Sequence, residues 1–190
     1  MSAIADKRVQ LSRLQDRFKI HIDMSPADIR EVASRRVLAK KEEAEPLLRQ
    51  RYDQAAAMLR THTRLEGTAR HYETEREEFV QFYPYLPHYV DLSIDIMSGI
   101  RLQPGAPRTF GGAARTLIKQ AYEMLVNDRT ALAKAPVGTL VSLDRIYDLI
   151  EGNLSSEKQK DLTDIVERWP EDPWPARTAK AIALLEYVRD

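Results

Sequence analysis

Arg115 is the residue whose position in this sequence most clearly suggests chemistry. It lies in the stretch GGAARTLIKQAYEML, residues 111–125, whose apolar spacing predicts an amphipathic helix that begins after two glycines. A cation in the first turn of a helix opposes the positive end of the helix dipole and typically costs about 0.3–1 kcal/mol. A helix N-terminus favours bound anions, and a guanidinium group is planar and permanently charged. Arg115 is therefore a candidate binding residue, and the alternative is a solvated surface arginine.

The usual catalytic and metal-binding signatures are missing from the sequence. It contains no Gly-x-x-x-x-Gly-Lys-Ser/Thr loop and no cysteine. Ser155 begins a Ser-x-x-Lys string without its companion motifs, so a helix N-cap explains this serine better than catalysis does. The four histidines lack the spacing of a zinc site, and we expect surface or partly buried side chains at these positions, His21, His62, His71 and His88.

Helical periodicity dominates the elements that would position Arg115. Ser25, Pro26 and Asp28 predict the N-terminus of one helix, in DMSPADIREVASRRVLAKK. A longer helix is expected over residues 46–66, ended by Gly67, with one apolar side made of Leu48, Tyr52, Ala55 and Leu59. After Lys134 the sequence predicts three more helices, in SLDRIYDLIEG, SSEKQKDLTDIVERW and PARTAKAIALLEYVRD.

Two segments depart from this helical pattern. The alternation in FKIHI, residues 18–22, predicts a single β-strand without a visible partner strand, after a short helix that ends near Arg17. In FYPYLPHY, two prolines separate two short helices. We interpret its aromatic residues as core. A nucleobase-stacking role for Tyr83, Tyr85 or Tyr89 is the alternative.

Composition predicts a globular protein with a core of its own. The chain has 190 residues, 43% of them hydrophobic, and its 29 basic side chains balance its 29 acidic ones. Residues 1–41 hold ten basic against five acidic side chains, which is typical of a solvated helix face. No apolar run approaches the roughly 18 residues that span a bilayer, and we expect a soluble, cytoplasmic protein.

The order of the motifs resembles that of a known ATPase family. RLQDRFKIHIDMSPADIREVASRRVL resembles the end of an AAA+ nucleotide-binding core followed by the first helix of its lid. GGAARTLIKQAYEML is similar to the second-sensor helix of such lids. The series LQDRF, SPADIREVASRRVLAKK, FYPYLPHYVDL, GGAARTLIKQA is similar to the large P-loop ATPases of BREX phage-resistance systems, the BrxC and PglY type, over residues 8–150.

This resemblance implies roles for four residues. Arg115, with Gly112 in the turn before it, would be the second sensor and contact the γ-phosphate of ATP. Arg17, with Arg13 one turn earlier as a second candidate, would be the arginine finger that reaches a neighbouring subunit's nucleotide. The phosphate-binding loop, the magnesium-binding strand and the first sensor of the family would all precede residue 1. The resemblance thus implies a fragment whose partners are the catalytic half of a parent ATPase or neighbouring subunits, with ATP and Mg²⁺ bound in that parent.

The expected fold is therefore all-α. Residues 1–23 would be the tail of an ATP-binding core, residues 24–130 a helical bundle similar to an AAA+ lid, and residues 131–190 a C-terminal helical extension. The expected function is to sense nucleotide and couple hydrolysis to subunit movement, with possible DNA contact through the parent assembly and no activity in this chain alone. The alternative is a helical adaptor, unrelated to nucleotides, that binds protein or nucleic acid through the basic segment RRVLAKK, residues 35–41.

Overall fold

Every regular element in the described part of this chain is helical. The computed structural model describes residues 25–63, 73–103 and 113–188. The all-α class is therefore confirmed for these ranges. The strand predicted at residues 18–22 and the helix before it lie outside them and stay predictions. Within the same ranges, no helix is both long and apolar enough to cross a bilayer.

Eight α-helices occupy these ranges, together with one π-helical segment and three short 3-10 turns. The helices are α1 (Pro26–Val32), α2 (Glu45–His62), α3 (Arg76–Phe82), α4 (Pro87–Arg101), α5 (Ala113–Val126), α6 (Leu143–Ile150), α7 (Ser156–Arg168) and α8 (Pro173–Leu185). The π-helical segment is Ala33–Val37, and the 3-10 turns are Glu42–Ala44, Leu132–Lys134 and Glu151–Asn153.

Helix α1 begins as the sequence predicts and ends differently. The Ser25 side chain accepts a hydrogen bond from the backbone N–H of Asp28, whose carboxylate accepts one from the Ser25 backbone N–H at 2.8 Å, a complete capping box. The predicted continuation into VASRRVL is π-helical instead of α-helical. Because a π-helix bonds residue i+5 to residue i, the Leu38 N–H donates to the Ala33 carbonyl at 3.0 Å, and both side chains are buried.

Helices α2 and α3 pack together over a small apolar cluster. Its buried members are Leu48, Leu59, Phe79, Val80 and Leu86. Helix α2 ends at His62, four residues before the predicted end, and Gly67 lies outside the described residues. The stripe that the sequence predicts on α2 does face this cluster, since Tyr52 and Ala55 pack against it.

Helix α5 lies at the centre of the larger core. It packs against α1, the π-helical segment, α4 and α6. Leu117, Ala121 and Met124 are the buried residues of its apolar stripe that join this core. The core continues through α6 and α8 to Tyr187, so it includes residues on both sides of position 130, where the sequence suggests a boundary.

The aromatic segment between α3 and α4 contributes to both clusters. Tyr85 is buried, while Tyr83 and Tyr89 are half-buried and pack on the core residues around them. The rings of Phe79 and Tyr83 lie 5.8 Å apart, and the Tyr83 hydroxyl accepts a hydrogen bond from the Gly138 N–H at 2.8 Å. The interpretation of these rings as core residues is confirmed.

The last three helices cover one side of the larger core. Helix α8 packs on α6, and α7 packs mainly on α8. The Ser155 side chain accepts a hydrogen bond from the Lys158 N–H at the start of α7, which confirms its predicted capping role. After α8, Tyr187 packs against Gly99 of α4 and connects this C-terminal layer to the centre of the bundle.

Candidate functional site

Arg115 lies in the first turn of α5, as its third residue. The first turn contains no acidic residue. Residues three and four positions away in the sequence could pair with Arg115, but none of them is acidic: they are Gly111, Gly112, Ile118 and Lys119. The helix that carries Arg115 is held in place by the packing of Leu117, Ala121 and Met124. The position of this turn is therefore fixed by the core. The Arg115 side chain is not among those described.

The other three candidate residues cannot be placed relative to Arg115. Arg13, Arg17 and Gly112 all lie outside the described residues. Their predicted roles as arginine finger and sensor turn remain predictions.

A buried amide on α5 was not expected from the sequence. Gln120 is 4% exposed, and neither atom of its side-chain amide has a hydrogen-bond partner among the described residues. Burying a polar group without a hydrogen-bond partner lowers the stability of the folded state by about 1–3 kcal/mol. The only sequence signal is its place between Leu117 and Ala121, on the apolar stripe.

The basic segment at residues 35–41 is partly occupied by internal contacts. Arg35 forms an ion pair with Glu31 at 3.1 Å, and the Lys40 ammonium donates a hydrogen bond to the Gln81 carbonyl at 2.7 Å. Burial lowers the pKa of Lys40 to about 8, and the nearby Glu45 carboxylate partly opposes this change. One of its four cations, Lys40, thus serves the fold, while Arg35 is exposed and paired only with a residue one turn away.

The histidines in the described ranges do not form a metal-binding site. These ranges contain no group of three or more His, Cys, Asp or Glu residues that could hold a metal ion. The expectation of a surface or partly buried side chain is wrong for His88, which is 2% exposed at the start of α4. Its ring meets that of Tyr89 edge to face at 4.9 Å, and burial lowers the pKa of His88 to about 4.

A groove between α7 and α8, which we call the C-terminal groove, is a second candidate surface. Its volume is about 270 Å³ and its apolar residues are Leu162, Ile165, Ala179, Ile182 and Ala183. Three ionisable residues also line it: Lys158, Asp161 and Glu186. The Lys158 ammonium forms an ion pair with the Glu186 carboxylate. Ile182 is 56% exposed, so a large part of this apolar surface faces solvent.

Two tryptophans lie at the connection between these helices, Trp169 directly after α7 and Trp174 in the first turn of α8. The Arg168 guanidinium carbon lies 4.9 Å from the centre of the Trp169 ring, and that of Arg177 lies 4.8 Å from the centre of the Trp174 ring. Arg177 also donates a hydrogen bond to Asp144 at 2.8 Å. Each ring thus has a cation over one face, and a planar guanidinium suits this contact.

Comparison with known protein families and solved structures does not assign this chain to a family. No protein-family model matches this chain, and no solved structure matches it.

Proposed function

We propose that this helical bundle is the nucleotide-sensing lid portion of an AAA+-like P-loop ATPase, of the kind found in BREX phage defence. The observation that carries the proposal is the place of Arg115, in the first turn of a helix whose other end is packed into the centre of the bundle. A sensor needs a phosphate-binding group attached to a rigid body that moves as a unit.

The electrostatics of this turn suit a phosphate. The N-terminus of α5 carries the positive end of the helix dipole, and the backbone N–H groups in the first turn of a helix point along its axis towards an anion bound there. A guanidinium at this position can donate two parallel hydrogen bonds to one phosphate group. A charge that is unfavourable for the free helix would become favourable once the γ-phosphate of ATP lies against it.

The remaining parts of the nucleotide site would come from elsewhere in the parent protein. The described residues do not supply a set of acidic ligands for Mg²⁺. In the proposal, the catalytic half provides those ligands and the phosphate-binding loop, while Arg17, with Arg13, reaches the nucleotide of a neighbouring subunit. The chain alone would not hydrolyse ATP, and the parent would act in the cytoplasm, with possible contact to DNA.

Titration of the whole chain with inorganic triphosphate, followed by amide NMR shifts, tests the binding step. We expect weak binding, with the largest shifts in the amides of the first turn of α5. Arg115→Ala should weaken this binding by about fivefold or more. Lys119→Ala is the matched control, because it removes one cation from the same helix at an exposed position paired with Glu123.

Two results would reject the proposal. One is equal weakening by both variants, which would indicate a general effect of charge. The other is a set of shifts centred on residues 35–41 instead of α5. In the parent ATPase, Arg115→Ala should lower hydrolysis severely at an unchanged melting temperature.

A further inference from the structure

The C-terminal groove has an apolar floor that the described helices leave open. Helix α7 packs mainly on α8, and α8 packs on α6, so α7 is the outermost helix of this side. Leu162 is buried at the base of the groove, whereas Ile182 is 56% exposed and Val166 of α7 is 46% exposed. Two helices with an apolar groove between them can accept a third helix by ordinary side-chain packing.

Acidic side chains predominate along α7, which forms one wall of this groove, and in the turn that follows α7. Over residues 157–172, which include most of α7 and the turn that follows, six side chains are acidic and three are basic. One of the three cations, Lys158, is already paired with Glu186. Asp161 lines the groove and forms no ion pair with another described residue. The α7 wall of the groove therefore carries an excess of negative charge, and Asp161 is its carboxylate at the groove itself that no described residue pairs.

We propose that the C-terminal groove binds an amphipathic helix of another protein, with apolar residues spaced three and four apart and basic residues along its flanks. The apolar side chains would replace water over Leu162, Ile165 and Ile182, as in other complexes in which a helix lies in a groove. The basic flank would lie opposite Asp161 on the α7 wall. From Lys158 to Ile165 the groove is about 10 Å long at 1.5 Å per residue, so two turns of a partner helix fill it.

The same charges argue against two other occupants. A nucleic acid or an anionic membrane would bring phosphates against Asp161 and the acidic excess of α7. A second copy of this chain, related by a two-fold axis, would bring the acidic α7 walls of both copies to one interface. This proposal is independent of the nucleotide-sensing role, because it uses no residue of α5.

Calorimetry of the full chain with three synthetic peptides of roughly 16 residues tests the proposal. The first peptide carries leucines at the stated spacing with arginine flanks, the second has glutamates in place of the arginines, and the third has the first peptide's composition in scrambled order. We expect the first to bind, the second to bind at least about tenfold more weakly, and the third not to bind measurably.

Three variants of the chain make the test specific. Ile182→Asp should weaken the first peptide at least about tenfold without unfolding the protein, because Ile182 is exposed. Asp161→Lys should weaken the first peptide and strengthen the second. Val126→Asp is the control, because Val126 is 51% exposed on α5, outside the groove, and this change should leave binding unaltered.

Several outcomes would overturn the proposal. They are no binding of the first peptide, equal binding of all three, or no effect of Ile182→Asp. Light scattering supplies one more: a dimer of the free chain that Ile182→Asp dissociates would show that a second copy covers the groove.

Discussion

Gly99 of α4 lies directly against the backbone and side chain of Tyr187. A Cβ atom at Gly99 would come 2.9 Å from the Tyr187 Cβ and closer still to the Tyr187 carbonyl oxygen. Tyr187 is 7% exposed and belongs to the larger core. The absence of a side chain at Gly99 is therefore what allows the end of the C-terminal layer to pack on the central bundle.

Gly99→Ala should destabilise the protein. The added methyl group meets backbone as well as side chain, so Tyr187 must move away, at a cost of about 1–3 kcal/mol. Urea unfolding measures this change. Gly152→Ala is the control, because a Cβ at Gly152 meets nothing within 4 Å, and it should be neutral or slightly stabilising. Equal stability of the two variants would contradict the close packing at Gly99.

Leu117→Ala should destabilise the protein, whereas Arg115→Ala should not. Leu117 is 3% exposed in the larger core, so its truncation should cost about 2–5 kcal/mol. Arg115→Ala removes a cation from a positive helix end and raises helix propensity, so it should be neutral or slightly stabilising. Thermal and urea unfolding of both variants decide the matter. A loss at Arg115 as large as that at Leu117 would make this arginine a structural residue and remove the support for nucleotide sensing.

His88 should make the folded state less stable in mild acid. Burial lowers its pKa to about 4, whereas the unfolded chain has a histidine pKa of about 6.5. Between these values the unfolded state binds the proton and the folded state does not, so stability falls as the pH falls. From about pH 7.5 to about pH 5, His88 should contribute a loss of about 2 kcal/mol.

Denaturant unfolding of the wild type and His88→Gln at both pH values isolates this effect. Glutamine does not titrate, so the variant should lack this part of the pH dependence, whatever its stability at neutral pH. The carboxylates titrate alike in both proteins and cancel in the comparison. The same loss of stability in both proteins would show that His88 is not responsible.

Arg30 should not tolerate replacement by lysine. Its guanidinium carbon lies 4.7 Å from the centre of the Phe82 ring, and the same group forms an ion pair with Asp91, so it joins α1 to α3 and α4. A lysine keeps the charge but loses the planar stacking, and we expect a loss of about 1 kcal/mol in urea unfolding.

Arg35→Lys is the control for this substitution. The Arg35 side chain is 76% exposed and pairs only along its own helix, so its change should stay within about 0.5 kcal/mol. A loss at Arg35 as large as that at Arg30 would contradict the structural role of the Phe82 contact.

The sequence predicts those features of this fold that depend on near neighbours along the chain. The capping residues Ser25 and Ser155 act through hydrogen bonds to residues three positions away, and the stripe of Leu117 and Ala121 follows from helical spacing. Such signals are complete within a single helix. They identify the elements, the class of fold and the turn that carries Arg115.

Features that depend on distant parts of the chain were not predictable. The burial of His88, the contact of Gly99 with Tyr187 and the open groove beside Ile182 each depend on which helices pack together. The π-helical segment after α1 also follows from tertiary packing, because it places both Ala33 and Leu38 in the interior. No local pattern in the sequence distinguishes these cases from an exposed histidine, an ordinary helical glycine or a continuous α-helix.

The positions of Trp169 and Trp174 determine what optical spectroscopy of this protein will report. The chain has only these two tryptophans, and both lie at the turn between α7 and α8, whereas the tyrosines of the core lie elsewhere. Indole emission therefore monitors the last two helices, and far-ultraviolet dichroism averages over every helix. If the two signals melt together, the C-terminal layer and the bundle form one cooperative unit. If the emission changes first, that layer separates before the core, and the native chromophores resolve the two events without an added label.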